Sequence, residues 1–461
     1  MPKITFLGAG STMFARRLLG DCLFSPALRN SHLALYDIDP VRLRQSKVIM
    51  DLMNRKMNRG RATITAHLGV TTRRAALRKA DYVINAVQVG GLPAMKIDFE
   101  LPLQYGLQQT VGDTLGIGGI FRALRTIPVM QGFARDMESV CPKAWMLNYT
   151  NPMAMLSGAM LRGTDIRYVG LCHSVQGCVR GLMIRLGMLQ DVHEEVPITH
   201  IATADPGHRL QWTIAGINHQ AWLLAVTDHG KDLYPELKRR AAKLNADALR
   251  KGAPKHDNMV RHDILRHFGY YVTESSHHAA EYLPYWIKRL YPERVTDFNI
   301  PVDSYLKRLE GSGKAWADQY KKARAGKDLP RYRSHEYGSY LMEAMETDVP
   351  VRIHGNVLNS GLITNLPATA AVEVPCLVDR NGVQGTVVGD LPEACAALNR
   401  TNINVQLLTV EAALSLRRES IYHAAMLDPH TASELTLDQI RRLCDELIRA
   451  HGRMLPAYRR T

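Results

Sequence analysis

Short apolar runs alternate with longer amphipathic stretches through the first 170 residues. The runs are typical of buried strands, and the stretches between them carry apolar residues at helical spacing. The strand-like runs are residues 3–7, 33–36, 63–67, 82–86, 145–147 and 168–171. Alternating strands and helices predict a parallel sheet that binds ligands at the carboxyl ends of its strands. We therefore expect an α/β fold with a Rossmann-type domain.

The remainder of the chain mixes strand-like runs, such as 211–215 and 370–374, with helical stretches such as 302–324 and 435–454. Residues 190–210 are polar and are interpreted as a surface insertion. No internal repeat or low-complexity linker separates the parts. We predict two closely packed domains, a Rossmann-type domain over residues 1–170 and an α+β domain over residues 171–461.

A glycine turn follows the first strand-like run and precedes a helical stretch. It contains Gly8, Gly10, Ser11 and Thr12, while Met13 occupies the third glycine position of the dinucleotide fingerprint. A helix that begins after such a turn offers free N–H groups to a pyrophosphate. The match is partial, so a plain turn stays open at this point.

Asp37 ends the second strand-like run, 27 residues after Gly10. A carboxylate at this position can accept hydrogen bonds from the ribose hydroxyls and would repel a 2′-phosphate, so NAD is favoured over NADP. Asp37 could instead cap the helix that begins near Pro40, a role that suits Asp39 better.

Polar side chains follow several other predicted strands. Asn85 and Gln88 should point toward the cofactor, and Asn151 lies where an amide could hold sugar hydroxyls. Turn and helix-cap chemistry explains the same residues without a ligand. Gly116, Gly118 and Gly119, which follow Asp113, allow close backbone approach.

Cys172 and His173 follow the strand-like run that ends at Leu171, and His219 follows another apolar run. A thiolate and an imidazole suit a borderline transition metal. A buried structural Cys and a satisfied His are the alternatives. Residues 273–286 combine His277, His278, Glu281 and three aromatic residues, a mixture that suits a sugar site or a half-buried helix start.

The amino-acid composition bears on whether the protein binds nucleic acid or a membrane. Lys and Arg total 58 against 44 acidic residues, a formal charge of +14, but the basic residues are scattered and no nucleic-acid-binding motif accompanies them. No run reaches the roughly 18 apolar residues of a membrane span. Seven cysteines, an odd number, fit a reducing cytoplasm. We expect a cytoplasmic protein with neither a nucleic-acid nor a membrane partner.

Taken together, the motifs resemble glycoside hydrolase family 4, the NAD- and metal-dependent glycosidases. The resemblance is carried by residues 4–12, 115–128, 147–155, 172–175, 216–219, 281–284 and 401–406. Cys172-His-Ser-Val and residues 422–431 are similar to the α-galactosidase branch. The resemblance implies a domain pair like that of lactate and malate dehydrogenases, with the second domain binding substrate and metal and forming a homodimer or homotetramer.

The family scheme differs from hydrolysis by two carboxylates. NAD accepts hydride from the sugar C3, a base removes the C2 proton, the leaving group is eliminated, and water addition and hydride return complete the cycle. The resemblance assigns Mn²⁺ to Cys172 and His219, the base to Tyr282, the general acid to His173, and sugar contacts to Asn151 and Asp113.

The implied substrate is a small α-galactoside resembling melibiose. Within the family, an α-galacturonidase or α-glucuronidase is the nearest alternative, because the chain is basic and Arg122 and Arg125 could meet a uronate. A more distant alternative is an NAD-dependent hydroxy-acid dehydrogenase.

Overall fold

The computed structural model describes residues 1–189, 208–327, 329–334 and 336–459. Most of the predicted insertion, residues 190–207, lies outside the described residues, as do the side chains of Thr12 and Met13.

A parallel sheet forms the first part of the fold. Its strands are β1 (Lys3–Leu7), β2 (His32–Asp37), β3 (Thr63–Leu68), β4 (Tyr82–Asn85), β5 (Trp145–Asn148) and β6 (Arg167–Gly170). They lie in the order β3-β2-β1-β4-β5-β6 and pair in parallel. This is the strand order of dinucleotide-binding domains, and it confirms the predicted α/β fold with a Rossmann-type domain.

The second part of the chain extends the same sheet with mainly antiparallel strands. These are β7 (Leu210–Ile217), β8 (Gln220–Asp228), β9 (Lys231–Asp232), β10 (Tyr271–Val272), β11 (Val351–Leu358), β12 (Ala371–Asp379) and β13 (Gly382–Gly385). Asn356 of β11 pairs with Gly170 of β6, so the sheet continues from one part into the other. The domain boundary at residue 170 stays a prediction.

Helices cover both faces of the sheet. Those of the first part are α1 (Thr12–Phe24), α2 (Pro40–Asn58), α3 (Arg73–Leu77), α4 (Gly91–Gln104), α5 (Gly116–Val140) and α6 (Met153–Gly163). Those of the second part are α7 (Cys178–Arg185), α8 (Tyr234–Ala248), α9 (Met259–Phe268), α10 (Ser276–Tyr282), α11 (Glu293–Asp297), α12 (Ser304–Arg324), α13 (Tyr337–Thr347), α14 (Glu393–Ser415), α15 (Arg418–Leu427), α16 (Pro429–Glu434) and α17 (Leu437–His451). Among the described helices, none combines the length and the apolar character needed to cross a bilayer.

Strand β1 is mostly apolar because both of its faces are buried. Phe6 belongs to the hydrophobic cluster on one face of the sheet, and Leu7 to the cluster on the other. Successive strand side chains point to opposite faces, so a strand covered on both sides is apolar throughout. Truncating Phe6 to Ala would cost about 3–5 kcal/mol of stability.

Local capping fixes two helix starts. The Asp39 side chain accepts from the N–H groups of Val41 and Arg42, and Pro40 occupies the first turn of α2. Asp39 is therefore the cap of α2, and the contact of Asp37 with a ribose stays a prediction. Thr436 and Gln439 form a capping box at α17, whose Ile440, Leu443 and Leu447 are buried as their spacing predicts.

Candidate active site

A cavity of about 1120 Å³ lies at the carboxyl ends of the parallel strands. It begins at the glycine turn after β1 and ends at the loop after β6, and residues from the second part of the chain close one side. The predicted site residues that line it are Gly8, Gly10, Ser11, Asp37, Gln88, Asp113, Asn151, Cys172, His173 and His219. Residues from many distant segments thus meet in one concave site.

The glycine turn packs too closely against the protein for larger residues. Gly8 has φ +85°, in the left-handed region, and a Cβ there would lie 2.9 Å from the carbonyl oxygen of Ala86. A Cβ on Gly10 would lie 2.8 Å from Oδ2 of Asp37. Ser11 is the extended residue before α1. The turn therefore requires glycine at both positions, and it lines the cavity.

Asp37 is fixed by backbone donors at the end of β2. Its Oδ2 accepts from Gly10 N at 2.6 Å and its Oδ1 from Asp39 N at 2.9 Å. The carboxylate lies on the cavity wall with the exposed Ile38 beside it. A negative charge placed here is compatible with ribose hydroxyls and unfavourable for a 2′-phosphate.

The two residues predicted after β4 have different positions. Gln88 is exposed and lines the cavity. Asn85 is fully buried, and its Nδ2 donates to Asn148 Oδ1 at 2.8 Å and to Thr150 Oγ1 at 3.3 Å. It braces the ends of β4 and β5 beneath the cavity, so a direct cofactor contact by Asn85 stays a prediction.

Three potential metal ligands converge at the far end of the cavity. One ligand atom from each of Cys172, His219 and Glu274 lies within 4.8 Å of the other two. Cys172 follows β6, His219 lies in the turn between β7 and β8, and Glu274 lies between β10 and α10. His219 has φ +63°, an unusual conformation for this residue type that is common at functional sites. Sequence reasoning missed Glu274; its only signal is its position directly after a short strand.

Electrostatics within the cluster favour a cation. Burial opposes ionisation of the Cys172 thiol, yet the charge and hydrogen bond of His219 bring its pKa below the ordinary value. Burial would likewise lower the pKa of His219, but Cys172 and then Glu274 raise it to about 10. Burial and then the charge of Cys172 raise the pKa of Glu373 well above its usual range.

Two nearby carboxylates have unmet hydrogen-bonding capacity. Asp113 Oδ1 and Glu373 Oε1 are buried and have no hydrogen-bond partner among the described residues. Carboxyl oxygens, a cysteine sulfur and an imidazole nitrogen around a small space are the donor set expected for a divalent ion. The residues present therefore fit a metal site.

The buried residues Asp113 and Arg122 form a second group in the cavity with the half-buried Asn151. Arg122 Nη1 lies 3.4 Å from Asp113 Oδ2, and Asn151 Nδ2 donates to the same oxygen at 3.4 Å. The Nε of Arg122 donates to the carbonyl oxygen of Asn151 at 3.1 Å. The two predicted sugar contacts are thus brought together, and Arg122 joins them.

Glu281 holds the loop that carries Asp113. Its Oε1 accepts from the backbone N–H groups of Thr110, Val111 and Gly112, the latter two at 3.0 Å. Burial raises the pKa of Glu281 to about 7, against the opposing effect of the Thr110 and Gly112 hydrogen bonds. Glu281 acts on the site through this loop and does not contact the cavity itself.

His173 has a buried carboxylate as its partner. Its Nε2 lies 2.7 Å from Oε2 of Glu336, and its ring stacks on Tyr149 with the centroids 5.9 Å apart. The His173 side chain is 45% exposed and that of Glu336 only 9%. Sequence reasoning missed Glu336, which lies 163 residues away along the chain.

Tyr282 lies behind His219, with the two ring centroids 6.5 Å apart. It is 2% exposed and is not among the described residues that line the cavity. Burial raises its pKa well above the ordinary value, although the hydroxyl of Thr114 opposes the shift. His278, whose ring centroid lies 4.4 Å from that of His219, occupies the cavity wall instead.

Known proteins resemble the chain over its whole length. The profile of the family 4 glycosyl hydrolases matches residues 3–188, and that of the family 4 glycosyl hydrolase C-terminal domain matches residues 214–431. An alpha-galactosidase of Bacillus subtilis (strain 168) is 52% identical over 460 residues, which cover 100% of both chains. An alpha-galactosidase of Rhizobium meliloti (strain 1021) is 35% identical over 99% of this chain and 89% of its own length.

A solved structure shows the same fold. A 6-phospho-alpha-glucosidase from gut microorganisms, solved in complex with NAD and Mn²⁺, has a TM-score of 0.77 and 21% identity, covering 99% of this chain and 100% of the other. At this identity the likeness carries the fold alone, whereas the profiles and the sequence relatives establish the family. The chain therefore belongs to family 4 of the glycosyl hydrolases and is a glycosidase.

Proposed function

We propose that the protein is an α-galactosidase that hydrolyses small α-galactosides such as melibiose, with NAD and Mn²⁺ bound in the cavity. The 52% identity to an alpha-galactosidase over the full length supports the sugar. One structural observation carries the chemistry: the cluster of Cys172 and His219 lies in the same cavity as the glycine turn of Gly8 and Gly10. A hydride acceptor and a Lewis acid can therefore act on one sugar.

The cofactor would be held by the first part of the chain. Gly8 and Gly10 give the pyrophosphate access to the backbone, Ser11 precedes the helix whose N-terminus faces it, and Asp37 accepts from the ribose. When bound, NAD accepts a hydride from the sugar C3 and later returns it. Because a ketone at C3 makes the C2 proton acidic, the protein then has only to orient the sugar and move protons.

Cys172 and His219 would hold the ion. When bound, Mn²⁺ polarises the sugar oxygens and lowers the pKa of nearby hydroxyls such as that of Tyr282. The two protein donors point into the cavity from opposite parts of the chain. Loss of either donor would leave the ion poorly held.

The remaining roles fall to the chain's own side chains. Asn151 and Asp113 orient the sugar hydroxyls, and Arg122 fixes both. His173, on the cavity wall, protonates the leaving oxygen, while Tyr282 removes the C2 proton. The Glu336 carboxylate lies 2.7 Å from Nε2 of His173 and fixes the orientation of the ring.

The two arginines that could meet a uronate, Arg122 and Arg125, are both paired with carboxylates of the protein. The guanidinium of Arg125 makes a bidentate pair with Asp98 in the interior, at 3.0 and 2.6 Å. Arg122, with a side chain 7% exposed, is paired with Asp113. Since the charge of each of these two arginines is compensated within the protein, the pair gives no support to a uronide substrate.

A substrate panel tests the proposal. The protein is assayed on melibiose, p-nitrophenyl α-galactoside and the matching α-galacturonide, with and without NAD, Mn²⁺ and a thiol reductant. We expect hydrolysis of the galactosides only with both cofactors, and no net NADH at steady state. Undiminished hydrolysis without NAD and divalent ion would overturn the mechanism, faster cleavage of the galacturonide would overturn the sugar, and steady NADH release would indicate a dehydrogenase.

A further inference from the structure

Glu274 is placed and oriented like a ligand of the metal cluster. Its Oε2 lies 3.7 Å from Nε2 of His219, and its Oε1 accepts from the N–H of Ser275 at 2.7 Å. The Ser275 bond fixes the carboxylate, while the other oxygen faces the cluster. Glu274 lines the cavity together with Cys172, and its side chain is 20% exposed.

A carboxylate changes which metal the cluster prefers. A thiolate and an imidazole form a soft, nitrogen- and sulfur-containing pair that suits Zn²⁺. Carboxylate oxygen is a donor that suits Mn²⁺. With Cys172 and His219 as the only protein ligands, Mn²⁺ would obtain oxygen ligands only from the substrate or from water.

The charges of the three side chains also fit a divalent ion. Cys172 and Glu274 together supply two negative charges, which match a divalent ion, while His219 is a neutral donor once a metal replaces its proton. The separations within 4.8 Å need only small side-chain movements to bring all three atoms onto one ion.

We propose that Glu274 is a third protein ligand of the divalent ion and that it sets the preference of the site for Mn²⁺ over Zn²⁺. The inference rests on the proposed function, in which Cys172 and His219 already bind the ion. It adds a residue to that site and a reason for the choice of metal.

Mn²⁺ binding to the protein without substrate tests this directly. The purified protein, saturated with NAD and stripped of metal, is titrated with Mn²⁺, and free Mn²⁺ is counted by its electron paramagnetic resonance spectrum. Zn²⁺ affinity is measured by competition with a chromophoric chelator. Wild type is compared with Glu274→Gln, Glu274→Asp and the control Glu346→Gln, which removes an exposed carboxylate bonded to Tyr82 elsewhere in the fold.

For Glu274→Gln we expect Mn²⁺ affinity to fall by about 10- to 100-fold and Zn²⁺ affinity to fall less. Glu274→Asp, which keeps the carboxylate on a shorter stem, should lie between, and it replaces the Gln variant if that one does not fold. Glu346→Gln should bind both ions like wild type.

The outcomes separate the two proposals. Unchanged Mn²⁺ affinity in Glu274→Gln would overturn the ligand role, and an equal loss for both ions would overturn the claim that Glu274 sets the preference for Mn²⁺. If wild type itself binds no Mn²⁺, the proposed function fails; if wild type binds and only the variants disagree, the inference about Glu274 fails alone.

Discussion

The Nε2 atom of His173 lies 2.7 Å from the Oε2 atom of Glu336, and this contact joins the proposed general acid to a buried carboxylate. A carboxylate on one ring nitrogen fixes the orientation of the imidazole ring. The other ring nitrogen is then free to face the glycosidic oxygen. Glu336 is thereby a positioning residue for the departure of the leaving group.

Glu336→Gln should slow the hydrolysis of a substrate more strongly when its leaving group needs protonation. We expect kcat on melibiose, whose leaving sugar is a poor leaving group, to fall by about 10- to 100-fold, less than the loss of a general acid itself. Turnover of p-nitrophenyl α-galactoside should change little, because p-nitrophenolate leaves without protonation. Parallel steady-state kinetics on the two substrates check this, with Glu346→Gln as the control; equal losses on both would remove the His173–Glu336 pair from the acid role.

Asp37 and Asp39 offer a matched pair of variants. Asp37→Asn removes the charge on the cavity wall, so NAD affinity should fall by about tenfold and the preference for NAD over NADP should shrink. Asp39 also lines the cavity, but its side chain accepts from the first turn of α2, and Asn caps helices as well as Asp does, so we expect Asp39→Asn to change NAD affinity less. Calorimetric titration with each dinucleotide checks the pair; a loss of NAD affinity in Asp39→Asn alone would mean that the cap, and not the cavity carboxylate, supports binding.

Much of the first part of the fold could be predicted because its signals are local. The residues of β1, the glycine turn, Asp37 and the Asp39 cap lie close together in sequence, so strand, turn and helix chemistry reveals them. Cys172 and His219 could be assigned only through the family resemblance.

The rest of the site depends on contacts between distant segments. Glu274, Glu336 and Arg122 are three charged residues among many, and only tertiary packing brings each to its partner. For Asn85 the sequence pattern predicts too much. Its place at the end of a strand predicts a residue that lines the cavity, but its amide joins β4 and β5. Periodicity locates a strand end, and it does not say whether the side chain there faces ligand or neighbour.

The pKa of Glu281 gives a prediction about stability. The buried carboxyl has a pKa of about 7 in the folded protein against 4.5 for the ordinary group. Because the folded state holds the proton more tightly, the stability that Glu281 contributes is complete below pH 4.5 and is lost as the pH rises to about 7. The shift corresponds to roughly 3 kcal/mol.

Denaturant unfolding of wild type and Glu281→Gln at several pH values between 4.5 and 8 tests this. The difference in free energy of unfolding between the two proteins should shift in favour of the variant as the pH rises. The comparison cancels the titration of every group that the two proteins share. A difference that stays constant with pH would mean that the amide hydrogen bonds from residues 110–112 offset the burial of the charge.

Cys172→Ser separates the two cofactors. We expect the variant to lose Mn²⁺-dependent turnover, since a hydroxyl is a far weaker ligand than a thiolate, while NAD affinity stays within about twofold because the glycine turn is untouched. Cys178→Ser, a buried cysteine on α7, is the control for loss of a thiol. Full Mn²⁺-dependent activity in Cys172→Ser would exclude the thiolate as a metal ligand.

Tyr282→Phe tests the base, the role that the geometry of the cavity makes hardest to fill. Tyr282 is buried behind His219, and burial raises its pKa, so its hydroxyl can act as a base only if a bound cation lowers that pKa again. We expect Tyr282→Phe to reduce the incorporation of solvent deuterium at C2 of the sugar by at least about 100-fold, measured by NMR of the product, while Mn²⁺ and NAD still bind. Tyr285→Phe, which removes a hydroxyl from an exposed neighbour, should exchange at the wild-type rate. Continued exchange in Tyr282→Phe would assign the base to a residue on the cavity wall, where His278 and Glu274 already lie beside the metal cluster.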